Sequence, residues 1–135
     1  MTFAPSALHF RSVNGAIRVY VVDDTEHVRR MLTTMLSVDG FEVVGGASDG
    51  ATALAQIAAH DPDVVVVDYK MPSLDGLATA RQIKATRPDQ HVIIYSAFVE
   101  PDLEEQAAEI GVAVCVGKVE GISSLEQEIR RLVRP

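Results

Sequence analysis

Cysteine and tryptophan are almost absent from this sequence. Its 135 residues include a single cysteine, Cys115, and no tryptophan, and aromatic residues make up only 5% of the chain. A single cysteine cannot form an intramolecular disulfide or a cysteine metal cluster. Scarce cysteine is typical of proteins in a reducing compartment, so we expect a cytoplasmic protein.

Positive charge and long apolar runs are also scarce. Twelve Lys and Arg residues face nineteen Asp and Glu residues, which gives a formal net charge of −7. This balance disfavours nucleic acids and anionic membranes as partners, because both bind mainly to basic surfaces. No apolar run approaches the roughly 20 residues that a membrane span needs. The first residues lack the basic-then-apolar order of a signal peptide.

Short apolar runs do occur, and they alternate with segments of helical periodicity. Residues 1–15 show no periodicity and are predicted to be a flexible leader, with one domain over residues 16–135. The alternation predicts an α/β fold, with five parallel strands and helices on both faces of the sheet. The predicted strands are Val19–Val22, Phe41–Val44, Val64–Val67, Val92–Tyr95 and Val112–Val116.

Five helices are predicted between and after these strands, with local signals at their ends. Gly40 is placed to end the first helix, and Pro101 is a favourable first residue for the fourth. Ser123 and Glu126 have the spacing of a capping box at the start of the fifth helix. The apolar stripe of the first helix is predicted to comprise Val28, Met31, Leu32, Met35 and Leu36.

Polar residues follow four of the five predicted strands. Asp23 and Asp24 come directly after the first strand and Asp68 after the third, while Ser96 and Lys118 follow the fourth and fifth. In an open parallel sheet, ligands bind at the carboxyl ends of the strands. These residues are therefore expected to meet at one edge of the sheet.

The residue types at this edge fit phosphoryl transfer. Three crowded carboxylates repel one another unless a cation is present, and an all-oxygen site favours Mg²⁺, Ca²⁺ or Mn²⁺. A lysine and a hydroxyl can bind phosphoryl oxygens, and Asp68 can act as the nucleophile. Each residue alone could be a cap, a loop hydroxyl or a surface lysine. Their occurrence together, in order, favours the site.

Four segments closely resemble the bacterial response-regulator receiver family, the CheY-like domains of two-component signalling. They are Val-Val-Asp-Asp at 21–24, Val-Asp-Tyr-Lys-Met-Pro-Ser-Leu-Asp-Gly at 67–76, Ser-Ala at 96–97, and Lys118. Ala-Ser-Asp-Gly at 47–50 also resembles the link that precedes the second helix in many receivers. The resemblance implies a flavodoxin-like, doubly wound sheet of order 2-1-3-4-5 with five helices.

The resemblance also implies a role for each residue at the sheet edge. Asp68 would be the phosphoacceptor, and Mg²⁺ would be held by Asp68, by Asp24 directly and by Asp23 through a water. The backbone carbonyl of Lys70 would complete the protein ligands. The phosphoryl-binding and switch residues would be Ser96, Ala97 and Lys118. Asp75 is expected to cap the third helix, and Pro72 and Gly76 to shape the loop after Asp68.

Three departures from the family pattern carry further expectations. Val119 follows Lys118 where many receivers have a cis proline, so a trans bond is expected. Cys115 stands where many receivers have the aromatic switch residue, and it is interpreted as a small buried hydrophobe. Lys70 and Phe98 flank the route of attacking water in this family, and neither carries a carboxylate or amide that would orient water. We therefore expect slow dephosphorylation.

The predicted function is that of a stand-alone response regulator. It would be a signalling phosphoacceptor rather than an enzyme, although it would assist its own phosphorylation and dephosphorylation. The expected partners are a cognate histidine kinase or phosphotransfer protein and a downstream protein target. A homodimer through the fourth helix, fifth strand and fifth helix is a further expectation, since the fourth helix is acidic and the fifth carries Arg130, Arg131 and Arg134.

Two alternatives stand beside this prediction. One is a receiver that forms part of a longer transcription factor, with a DNA-binding domain after Pro135. The other is a metal-dependent phosphatase or transferase that acts on a small substrate through an aspartyl phosphate. The sequence offers this second alternative no cap domain and no evident apolar substrate pocket.

Overall fold

Five parallel strands form the central sheet of the computed structural model, which describes residues 15–71 and 74–133 and leaves out the side chains of Lys70, Met71 and Leu74. The predicted leader lies, except for Gly15, outside the described residues. The strands are β1 (Arg18–Val22), β2 (Glu42–Ala47), β3 (Val64–Asp68), β4 (His91–Ser96) and β5 (Val114–Gly117). Their spatial order, β2-β1-β3-β4-β5, is the order that the resemblance implied.

Five helices connect and follow the strands. They are α1 (Glu26–Val38), α2 (Gly50–His60), α3 (Gly76–Thr86), α4 (Pro101–Ile110) and α5 (Ile122–Leu132). A short antiparallel ribbon, Lys70–Met71 with Leu74–Asp75, follows β3, and a 3₁₀ turn, Lys118–Glu120, follows β5. The predicted flavodoxin-like fold is confirmed. No helix in the described part of the chain is long and apolar enough to cross a membrane.

The sheet is buried on both faces, as its continuous apolar strands predicted. Alternate residues of each strand point to opposite faces, so Tyr20 and Val22 pack with α2, α3 and α4. Val19 and Val21 instead pack with α1 and α5. This three-layer arrangement leaves the carboxyl edge of the sheet bounded only by loops, where polar residues can gather.

Side-chain and backbone caps set several helix ends. Asp49 accepts a hydrogen bond from the Thr52 amide at the start of α2, and Asp75 accepts from the Leu77 and Ala78 amides at the start of α3. The predicted cap by Asp75 is therefore confirmed. Pro101 opens α4 as predicted. Gly40 follows the end of α1 with a φ of 98°, a conformation that favours glycine.

The predicted capping box of α5 is wrong. The helix begins at Ile122, and Gly121 occupies the cap position with a φ of 91° and no side-chain hydrogen bond. Ser123 consequently lies inside the first turn, where it cannot cap the helix. Glu126 is buried beside α1 instead of reaching back to the helix start.

Element boundaries and one apolar stripe also differ from the predictions. Strand β2 begins after Phe41 and extends to Ala47, and β5 begins only at Val114. In α1 the core face is carried by Leu32 and Leu36, whereas Met31 and Met35 are 47% and 37% exposed. The predicted stripe was therefore wider than the face that the sheet covers.

Candidate functional site

The carboxyl edge of the sheet gathers the polar residues that the sequence pointed to. Asp23 directly follows β1, Asp68 is the last residue of β3, and Ser96 is the last residue of β4. Strand register places Asp68 opposite Tyr95 and Ser96 opposite Gly117, the residue before Lys118. The predicted common edge is therefore present.

Lys118 connects the two buried aspartates. Its Nζ lies 3.3 Å from Oδ2 of Asp68 and 3.9 Å from Oδ2 of Asp23. The same ammonium lies 5.6 Å from the centre of the Tyr95 ring, within the range of a cation–π contact. One lysine thus offsets two carboxylates, so negative charge remains in excess.

Asp23 is almost fully buried and only partly satisfied by hydrogen bonds. Its Oδ1 accepts a hydrogen bond of 2.9 Å from the Thr25 amide, while Oδ2 has no hydrogen-bond donor among the described residues. The pKa of Asp23 is raised to about 6, mainly by burial and also by the neighbouring Asp68 carboxylate, against the lowering effects of the Thr25 hydrogen bond and of Lys118. An added cation would reduce the repulsion between the two carboxylates.

The donor set fits Mg²⁺. Asp24 is half-buried at the rim, where its Oδ1 accepts a hydrogen bond from the Thr25 hydroxyl. The described residues contain no group of three or more acidic, His or Cys side chains that could hold a metal by themselves. Mg²⁺ commonly keeps several waters and uses only one or two protein carboxylates, so the Asp23–Asp68 pair with Asp24 nearby is adequate.

The chain turns sharply after Asp68. The backbone of Lys70, whose carbonyl the resemblance made a metal ligand, enters the ribbon and pairs with Asp75. A Cβ on Gly76 would lie only 2.5 Å from the Asp68 carbonyl oxygen, so only glycine allows this close approach. The predicted role of Gly76 in shaping the loop fits this contact, and Pro72 lies outside the described residues.

The Ser96 hydroxyl is bonded within its own loop. Ser96 is fully buried, and its Oγ donates to the Phe98 carbonyl at 2.9 Å and lies 3.3 Å from the Phe98 amide. These contacts hold Ser96 to the loop after β4 rather than to Asp68 or Lys118. Ala97, the second predicted switch residue, is exposed in the same loop.

Cys115 lies half-buried on β5 and packs on the side of the sheet that carries α4. Burial raises the pKa of its thiol to about 11, with a further contribution from the Glu104 carboxylate. The reactive thiolate is therefore scarce at neutral pH. The packing agrees with the interpretation of Cys115 as a small hydrophobe.

Two residues near the aspartates had not been singled out from the sequence. Tyr95 lies beneath the Lys118 ammonium, and Arg29 donates a hydrogen bond to the Asp23 carbonyl. Tyr95 could have been found from its place next to Ser96 in a strand. No motif points to Arg29, because its contact depends on how α1 packs against the end of β1.

Two open cavities lie along α1 rather than over the aspartates. One of about 420 Å³ lies between α1 and β2, and one of about 320 Å³ follows the outer side of α1 near Met31 and Met35. Neither is lined by Asp23, Asp68 or Lys118.

A doubly wound sheet with an aspartate pair and a lysine at its carboxyl edge defines a receiver-type protein. The model of the response regulator receiver domain family matches residues 19–130, and the chain belongs to this family. Receiver domains bind Mg²⁺ in general and interact with histidine kinases or phosphotransfer proteins.

Curated relatives are response regulators and receiver-containing enzymes. The chain is 36% identical over 115 residues to response regulator GacA of Pseudomonas viridiflava, covering 84% of this chain and 54% of that protein. It is 39% identical over 121 residues to a protein-glutamate methylesterase/protein-glutamine glutaminase of Symbiobacterium thermophilum, covering 88% and 33%. The chain therefore spans about half or a third of the length of these relatives.

Solved structures of receiver domains superpose on most of the chain. The signal receiver domain of the putative response regulator NarL from Mycobacterium tuberculosis is 34% identical with a TM-score of 0.72, covering 85% of this chain and 97% of that one. The response regulator domain of Thermotoga maritima CheB is 29% identical with a TM-score of 0.78, covering 89% and 99%.

Proposed function

We propose that Asp68 accepts a phosphoryl group from a phosphohistidine of a partner kinase or phosphotransfer protein. The observation that carries the proposal is the Lys118 ammonium, 3.3 Å from Asp68 Oδ2, with the Asp23 carboxylate on its other side. Such a fixed cation is what a phosphoryl group needs when it arrives on a carboxylate. Membership of the receiver family supports the same role.

The reaction joins an Asp68 carboxylate oxygen to phosphorus. As the new O–P bond forms, the P–N bond to the donor imidazole breaks, and a proton then restores the neutral imidazole. Lys118 would offset the charge on the phosphoryl oxygens as they arrive at Asp68. The chain thus assists its own phosphorylation by positioning and charge rather than by turning over a substrate.

Mg²⁺ is the proposed cofactor. When bound, it would supply the positive charge that the carboxylate pair and the incoming phosphoryl oxygens require. The proposed protein ligands are Asp24 and Asp68 directly, Asp23 through a water, and the Lys70 carbonyl. The buried Oδ2 of Asp23, which has no hydrogen-bond donor among the described residues, and the all-oxygen donor set support this assignment.

Signalling is proposed to follow from the loop after β4. The Ser96 hydroxyl would leave the Phe98 carbonyl for a phosphoryl oxygen, because a hydrogen bond to a charged acceptor is stronger than one to a neutral acceptor. Ala97 would move with it. The changed surface would then be read by a downstream protein or by a second copy through α4, β5 and α5, in the cytoplasm.

Mass spectrometry of the chain after treatment with a small acyl-phosphate donor tests the proposal. We expect one added phosphoryl group in the parent with Mg²⁺, little addition after chelation, and none in Asp68→Asn. Asp75→Asn is the matched control, since Asp75 caps α3 and should leave phosphorylation intact. Full phosphorylation of Asp68→Asn would refute the assignment.

A further inference from the structure

Arg29 makes an unusual contact for a helical arginine. It lies in the first turn of α1, is half-buried, and reaches back along the helix to the end of β1. There its Nη1 donates a hydrogen bond of 2.6 Å to the Asp23 carbonyl oxygen. The adjacent Arg30 has a side chain that is 79% exposed and lies 3.9 Å from the Glu26 carboxylate.

This hydrogen bond is one of three that fix the backbone and the carboxylate of Asp23. The Asp23 amide donates to the Ala47 carbonyl at 3.0 Å, and its carboxylate accepts from the Thr25 amide at 2.9 Å. The carbonyl bonded to Arg29 belongs to the same planar unit as the Asp24 amide. Arg29 therefore fixes the plane of the peptide that joins the two aspartates.

Strand β2 leaves room for the Arg29 side chain. A Cβ on Gly46 would lie 3.5 Å from Cδ of Arg29 and 3.0 Å from the Val21 carbonyl oxygen. The aliphatic stem of Arg29 thus runs closely over the bare backbone of Gly46. This close approach along β2 brings the guanidinium to the Asp23 carbonyl.

We propose that Arg29 is a positioning residue for the metal site, acting through the Asp23–Asp24 peptide. By fixing that peptide, Arg29 sets the direction from which the Asp24 side chain leaves the backbone, and hence where its carboxylate can meet Mg²⁺. The inference rests on the proposed function, because it assumes that Asp24 is a ligand. Arg29 itself touches neither the metal nor the phosphoryl group.

Electrostatics and positioning predict opposite effects when Arg29 is neutralised. Removal of a nearby positive charge, taken alone, should tighten the binding of a divalent cation. Loss of the hydrogen bond to the Asp23 carbonyl should weaken binding, because the Asp24 carboxylate then spends less time in the required position. The sign of the change in Mg²⁺ affinity therefore separates the two effects.

The test is calorimetric titration of Mg²⁺ into the full chain and into Arg29→Gln, Arg30→Gln and Arg29→Lys. Arg30→Gln is the matched control for charge, one residue away on the same helix. We expect Arg30→Gln to bind as tightly as the parent or more tightly, and Arg29→Gln about five- to tenfold more weakly. Arg29→Lys, which keeps a donor and the charge, should recover part of the loss.

A second measurement distinguishes a local change at Asp24 from a general loss of structure. The amide resonance of Asp24 in the metal-free protein reports on the peptide that Arg29 holds, and we expect it to move in Arg29→Gln while the amides of α3 and α5 stay in place. Equal affinity of Arg29→Gln and Arg30→Gln for Mg²⁺ would overturn the inference alone. A parent chain that binds no Mg²⁺ would overturn both the inference and the proposed metal site.

Discussion

Lys118 governs the charge balance at the residue scale. Its ammonium lies within 4 Å of carboxylate oxygens from both Asp23 and Asp68, and its side chain is 30% exposed. Burial, and to a lesser extent the Asp68 carboxylate, raise the pKa of Asp23 to about 6. Under the proposed function, a bound cation and the partly exposed lysine would together offset the charge of a phosphoryl group on Asp68.

Phe98 is expected to influence the lifetime of the proposed phosphoryl group. It is 65% exposed in the loop after β4, and its backbone holds the Ser96 hydroxyl. A phenyl ring cannot orient a water for attack on phosphorus, whereas a carboxylate can act as a general base. The phosphorylated parent is therefore expected to decay slowly.

We predict that Phe98→Glu shortens the lifetime of the phosphorylated protein several-fold. The decay is followed by mass spectrometry after the acyl-phosphate donor is removed. Phe98→Leu is the matched control, because it changes the ring but adds no polar atom, and its decay should equal that of the parent. Equal decay in Phe98→Glu and Phe98→Leu would show that this position has no part in hydrolysis.

At the scale of elements, α5 packs against the end of α1, and a buried glutamate lies at the contact. Glu126 is 6% exposed, its Oε2 is buried without a hydrogen-bond partner among the described residues, and the Asp39 carboxylate lies nearby. Arg130 donates to the Asp39 carbonyl and lies over the Phe41 ring, 4.7 Å from its centre. Two neighbouring carboxylates repel each other unless one of them is protonated.

This arrangement makes stability depend on pH. Burial is the main cause that raises the pKa of Glu126 from 4.5 to about 7, followed by the Asp39 carboxylate, with Arg130 acting in the opposite direction. A folded-state pKa above the unfolded value gives stability that is full below pH 4.5 and is lost as pH rises to about 7.

We predict that Glu126→Gln removes this loss, because the amide imitates the protonated acid. Denaturant unfolding should show the parent losing stability relative to the variant as pH rises from 4.5 to about 7. Glu128→Gln is the matched control, since Glu128 pairs with Arg131 on the outer side of α5. Parallel pH profiles for the parent and Glu126→Gln would contradict the prediction.

No aromatic residue lies in α4 or β5, the elements that are proposed to take part in signalling. Cys115 packs beneath α4 with a short side chain, so its movement would hide or expose little apolar area. A phosphoryl group shifts the conformation only by its differential interaction with two states. The proposed release of Ser96 from the Phe98 carbonyl would then be the main differential interaction.

We predict that a beryllofluoride mimic on Asp68 perturbs the loops around Asp24, Asp68, Ser96 and Lys118 and leaves most of α4 in place. Amide chemical-shift mapping is the measurement, and Cys115→Ala should give the same map as the parent. Large shifts along the whole of α4 and into β5 would show that the switch works without an aromatic ring.

At the scale of the whole molecule, the sequence was sufficient for the fold and for the positions of the polar residues at the sheet edge. Apolar runs such as Val64–Val67 are too short for helices and too continuous for a half-exposed strand, so they predicted a sheet covered on both faces. The rule that parallel strands end at one edge then brought Asp23, Asp68 and Lys118 together.

The sequence was not sufficient for contacts that depend on packing between distant elements. The contact of Arg29 with the Asp23 carbonyl depends on how α1 packs against the end of β1. No local sequence pattern predicts that packing. Glu126 matched a capping box by spacing alone, yet burial against Asp39 placed its carboxylate elsewhere. Helix spacing likewise counted Met31 and Met35 as core, because periodicity cannot show how far the sheet extends.

The central claim is that Asp68 carries the phosphoryl group, and borohydride trapping tests it most directly. Borohydride reduces an aspartyl phosphate to homoserine, so peptide mass spectrometry after donor treatment identifies the modified residue. We expect homoserine at position 68 in the presence of Mg²⁺, and almost none after chelation or in Lys118→Gln. Homoserine at Asp23 or Asp24 with an unmodified Asp68, or an acid-stable phosphoryl group elsewhere in the chain, would contradict it.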